Sequence, residues 1–148
     1  MFKFLKLCVL AVLVSACSPK DENLSKMVVK TQNGDVVYMV ESATTKEQMS
    51  KGLMDRKELR EDSGMIFDVQ GTEEIAMWMK DTYIPLDVLF VNSKGKIIWI
   101  EENAEPLSTT LIRPKVKEPM AVVIEINAGD VKKHAIKLGD IVTHELIK

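Results

Sequence analysis

The sequence is poor in the residues that most often carry chemistry. Its 148 residues include only two cysteines, two histidines and 5% aromatics. The cysteines are Cys8 and Cys17, both near the N-terminus, so no thiol is left in the body of the chain. That excludes a disulfide framework, a thiolate metal site and a cysteine nucleophile there. His134 and His144 stand ten residues apart, without the spacing of a metal-ligand pair. There is no G-x-S-x-G elbow. No charge sign dominates: 20 Lys and Arg face 22 Asp and Glu, and no basic stripe exists, which argues against nucleic acid as a partner. The apolar run at residues 7–14 is too short to span a bilayer as a helix. No internal repeat or low-complexity tract appears. What is present, 46% apolar and 28% charged residues, suits one packed domain.

The N-terminus reads as a signal rather than as structure. Lys3 and Lys6 precede the apolar run, and Ser15 and Ala16 precede Cys17. The stretch Leu13-Val14-Ser15-Ala16-Cys17 resembles the lipobox of bacterial lipoprotein signal peptides. The resemblance implies cleavage before Cys17 and a diacylglyceryl group on its sulfur; the alternative is an ordinary secretory signal cut nearby. Two acyl chains anchor a protein stably where one does not, so the lipid bilayer is an expected partner. Ser18 is not the aspartate that resembles an inner-membrane retention signal. The expected location is therefore the bacterial cell envelope, on the outer membrane facing the periplasm. Residues 1–16 are then signal peptide, 17–26 a polar tether and 27–148 a single domain.

Along the domain, residues 27–31 and 35–40 flank Gln32-Asn33-Gly34, a strong hairpin signal. Residues 44–54 read as a helix, with Thr44 and Glu47 in capping-box spacing, Met49 and Leu53 four apart, and Gly52 placed to end it. Residues 65–67, 88–91, 96–100, 120–126 and 141–147 read as strands, and residues 131–136 as one helical turn starting at Asp130. The fold class is mainly β: an antiparallel sandwich or barrel of about seven to nine short strands with one packed α-helix.

The chain is organised around residues 76–90, A-M-W-M-K-D-T-Y-I-P-L-D-V-L-F. Ile75, Met77 and Met79 alternate with Ala76, Trp78 and Lys80, which predicts a strand over 75–80. Asp81 and Thr82 favour a turn, and Pro85 extends Ile84. Together with G-L-M-D-R at 52–56, G-M-I-F at 64–67, F-V-N-S-K-G-K-I at 90–97, E-I-N-A-G at 125–129 and Gly139-Asp140, this stretch resembles the domain-of-unknown-function family 192. Asp81 stands where that family often has asparagine. The resemblance implies a compact, mainly β, commonly exported domain and no established activity, so function rests on the site.

Three readings compete. In the first, a binding or accessory module, Trp78, Asp81, Thr82 and Asp87 gather at a sheet end with Arg56 closing a cleft over a small polar ligand or an envelope partner's loop. Trp78 would be a stacking platform there, or a core residue. In the second, an envelope hydrolase uses Asp87 and Glu125 as a carboxylate pair. In the third, Met77 and Met79 share a strand face and offer thioethers to Cu(I). The residues favour binding over catalysis, and no cofactor is expected.

Overall fold

The computed structural model describes residues 24–72 and 74–148. The signal-like segment, the lipidation candidate Cys17 and the first part of the tether lie outside the described residues. The elements run β1 (Leu24–Thr31), β2 (Gly34–Ala43), α1 (Lys46–Lys51), β3 (Ser63–Thr72), β4 (Leu86–Asn92), β5 (Ile97–Ala104), β6 (Met120–Asn127), α2 (Asp130–Lys133) and β7 (Ile141–Thr143). All seven strands form one sheet in the order β5-β4-β6-β3-β2-β1-β7.

The β1–β2 hairpin forms where its turn residues predict it, with Thr31 opposite Gly34 across Gln32 and Asn33. Strand β1 starts at Leu24, paired with Glu41, so Leu24, Ser25 and Lys26 are strand rather than tether. The helix cap lies one residue later than its spacing suggests. Thr45 is the N-cap and Gln48 the reciprocal partner, and Gln48 Oε1 accepts from the N–H groups of both Thr44 and Thr45. Gly52 ends α1, as expected.

The sheet is mixed rather than antiparallel. Strands β2 and β3 run parallel, from Met39 opposite Ser63 to Ala43 opposite Phe67. A parallel neighbour needs a crossover, and α1 with the loop after it supplies one. The strand expected over 75–80 is absent from the sheet: only Met77 makes a bridge, to Ile112. Its alternation has another cause. The ribbon is laid across one face of the sheet, fastened by Met79 N–H to Ser108 O (3.0 Å) and Leu107 N–H to Thr82 O (2.9 Å), and it buries Met79 beneath it.

The sheet curls into a half-barrel. Lys96, just before β5, bridges Ile141 in β7, joining the two ends of the strand order. Ile97 from one edge and Val142 from the other belong to one apolar cluster with Val29, Tyr38, Leu89 and Ile124. Opposite edges can share a cluster only if that face is the inside of the curl. The other face carries a second core. Met65, Phe67, Val88, Phe90 and Val123 are covered there by Leu53 from the end of α1 and by Met79 and Ile84 from the ribbon. Two cores on one sheet explain why β4 is buried along its whole length.

Candidate functional site

Cross-strand register decides which acids face where. Side chains directly opposite each other in neighbouring strands share a face. Glu125 is opposite Met65 in β3 and Val88 in β4, so it points into the outer core. Asp87 is opposite Ile126 and points the other way. The expected carboxylate pair is therefore split by the sheet and cannot flank one glycosidic bond. Asp87 is fully buried and spent on backbone: Oδ1 accepts from Asn103 N–H, and Oδ2 from Gly129 and Val131 N–H, all at 2.9 Å. It ties β4 to the end of β5 and to the start of α2.

Arg56 does not close over the ribbon either. Its Nη1 and Nη2 fork onto both carboxylate oxygens of Glu41, at 2.5 and 2.7 Å. That pins the loop after α1 to β2 and leaves no free fork for a bound anion. Asp81 is exposed and takes a hydrogen bond from Lys80 Nζ at 2.8 Å. Its carbonyl accepts from Asp55 N–H, also at 2.8 Å. Met79 is sealed in the outer core beneath the ribbon, 1% exposed, and Met77 packs against the same core beside Glu125. Among the described residues no cluster of His, Asp and Glu is placed to hold a metal.

Four of the expected residues do meet. Trp78 and Thr82 from the ribbon, with Met77, line a pocket whose other wall is Met49, Leu53 and Met54 around the end of α1, and Glu125 lies on the sheet side. Its volume is about 80 Å³. Gly52 positions this wall: an added Cβ there would sit 3.4 Å from the Phe67 ring, and φ is +47°. Gly64 lets β3 run close beside Glu125 in β6, since its missing Cβ would lie 2.5 Å from the Glu125 carbonyl. Thr82 is buried and donates from Oγ1 to Lys80 O at 3.3 Å. Trp78 is 45% exposed, with the Lys80 ammonium 5.8 Å from its ring centroid.

Glu125 is the unusual group. It is 5% exposed, and its Oε2 is buried without a hydrogen-bond partner. Loss of water alone pushes its carboxyl up to about 8, because no cation is near enough to oppose the shift. A native protein keeps few such atoms, and each asks for a reason.

One arrangement imitates a catalytic pair. His144 Nε2 lies 2.7 Å from Ser25 Oγ. However, His144 Nδ1 accepts from Leu146 N–H at 3.2 Å, so in the neutral ring Nε2 carries the proton and donates it to the serine. A general base would need the opposite tautomer.

The DUF192 family model, an uncharacterized ACR, matches residues 28–144. The chain belongs to the DUF192 family. Two solved structures are similar to this chain in sequence and fold. A protein of unknown function from Novosphingobium aromaticivorans DSM 12444 is 34% identical, with a TM-score of 0.76 over 82% of this chain and 85% of its own. A proposed transcription regulator from Sinorhizobium meliloti 1021 is 39% identical, with a TM-score of 0.75 over 84% of this chain and 97% of its own. No curated protein matches.

Sequence reasoning missed Glu41 as the partner of Arg56, and missed Met54 and Phe67 as pocket walls. The signal for Glu125 was present: it is the one charged residue in the otherwise apolar run M-A-V-V-I-E-I-N.

Proposed function

We propose that this DUF192 chain is a lipid-anchored binding module of the bacterial cell envelope. Cys17 carries the lipid, and the pocket between Trp78 and Glu125 holds a small solute or the tip of a partner's side chain. The single observation behind the binding reading is the buried, unpartnered Glu125 Oε2 beside an open pocket. A buried carboxyl without a partner costs stability and is tolerated where something else fills the need. Two segments that carry the family resemblance, Gly52–Met54 and Met77–Thr82, meet on this same pocket.

Binding is tested by a fragment screen against protein labelled with methyl-13C methionine. Fragments that occupy the pocket shift the methyl signals of Met49, Met54 and Met77 and leave buried Met120 unmoved. A screen at millimolar concentration in which those three signals stay still would remove the binding reading. Anchoring is tested separately by following labelled palmitate. The expected result is incorporation that Cys17→Ser abolishes, with release of the chain from membranes; label retained in the variant would refute it.

A further inference from the structure

We propose that the Glu125 pocket is built for a primary ammonium group, the charged end of a small amine or of a lysine side chain. The inference rests on the binding reading above and narrows it to one chemistry.

The pocket is rich in electron pairs. Glu125 offers an unpartnered carboxyl oxygen. Thr82 spends its hydroxyl proton on Lys80 O, so its lone pairs are what remain. Met49, Met54 and Met77 bring thioethers, which are weak acceptors, and Trp78 brings an indole ring. Four of the lining backbone donors are already used. Gly52 N–H bonds Gln48 O at 2.8 Å, and Met54 N–H bonds Lys51 O at 3.0 Å. Met77 N–H bonds Ile112 O and Thr82 N–H bonds Met79 O, both at 3.0 Å. An anion would meet the Glu125 carboxyl; an ammonium would find acceptors for its N–H groups.

Two further observations agree. The Trp78 ring already attracts one ammonium, that of Lys80 at 5.8 Å. The pocket is small, about 80 Å³, so the group that enters it lies close to Glu125 on the sheet side.

Among the described residues, Lys51 and Glu125 are the ionisable ones lining the pocket, and Lys51 is exposed and paired with Asp55. Among the described residues, therefore, no cation is positioned to neutralise a Glu125 carboxylate. When an ammonium enters with its charge, the carboxyl proton leaves to water and the ion pair forms in its place.

The test titrates three probes into the full chain carrying methyl-13C methionine: n-butylammonium, its neutral counterpart 1-butanol, and an end-blocked Ala-Lys-Ala peptide. n-Butylammonium should shift the signals of Met49, Met54 and Met77 saturably, and Glu125→Gln should weaken it by about tenfold or more, the worth of a charge-assisted hydrogen bond. 1-Butanol should bind the two proteins alike. Response to the peptide as well as to the amine assigns the group to a protein lysine; response to the amine alone assigns it to a free amine. If 1-butanol binds the unaltered chain as tightly as the amine, the ammonium inference falls while the binding reading stands. That comparison needs no variant, so it holds even if Glu125→Gln fails to fold. If no probe moves the three methyls, both fall.

Discussion

Glu125 makes the stability of this protein fall as pH rises, and Glu125→Gln should abolish that fall. The carboxyl titrates at 4.5 in an unfolded chain and at about 8 in the folded one. Below the lower value both states hold the proton and the residue contributes no pH dependence. Between the two values the unfolded state releases its proton and the folded state keeps it. The folded state then binds more protons, so unfolding free energy decreases with pH, by about 1.4 kcal/mol per unit. By pH 7 the loss is on the order of 3 kcal/mol, and it levels off near 5 kcal/mol above pH 8. Against a typical total of roughly 5–15 kcal/mol this is large. Glutamine keeps the shape and cannot ionise, but it buries two amide N–H groups where the protonated acid buries one O–H, at about 1–3 kcal/mol for a donor left unpaired. The variant should thus be the less stable protein at pH 4 and the more stable one at pH 8. Urea unfolding followed by tryptophan fluorescence, at fixed ionic strength from pH 4 to 9, measures both curves. Subtracting one from the other cancels the remaining titrating groups. Parallel curves would show that Glu125 is solvated or paired in solution, and the account of the pocket would be wrong.

Asp87→Ala should cost about 3 kcal/mol or more in urea unfolding, because three backbone N–H groups lose one carboxylate at once. Burial lowers the His144 imidazole below its usual value, so the stability it allows is present above 6.5 and lost as pH falls through the folded value. His144→Gln should flatten the acid side of the stability profile, and an unchanged acid limb would refute this. Gly95→Ala should cost about 2 kcal/mol, since φ is +75° and an added Cβ collides with the Val142 carbonyl. Hydrogen exchange should then show β7 amides losing protection before those of β6.

The strands were legible because their signals are local. Asn33-Gly34 between apolar runs, the N-S-K-G turn before β5 and the unbroken run in β6 each need only neighbouring residues. The parallel β2–β3 pair was not legible, because α1 and its loop do not say on which side of β2 the chain returns. Residues 75–80 misled for a related reason: period 2 reports an extended chain with one buried side, and a ribbon lying on a sheet satisfies it as well as a strand within one. At the site, Trp78, Thr82 and Met77 were readable from their shared segment. Arg56 was misplaced because its partner, Glu41, lies across a long-range contact that no local pattern encodes.

Asp87 and Glu125 look alike in the sequence, each an acid in an apolar strand, and the fold gives them opposite fates. Both sit on adjacent central strands, one residue out of phase in register, so they leave the sheet by opposite faces. Inside the curl, Asp87 meets the start of α2, whose free N–H groups point at it, and its charge is consumed in holding three segments together. Outside, Glu125 meets methionine, phenylalanine and tryptophan, and nothing bonds Oε2. A structural acid is recognised by satisfied oxygens, and Asp87 has them. An acid left unsatisfied beside an opening to solvent lowers stability at neutral pH without returning any contact in the isolated chain. On the proposal above the compensating contact comes from another molecule, and a positively charged one both restores the ionised carboxylate and suits the aromatic and thioether walls around it.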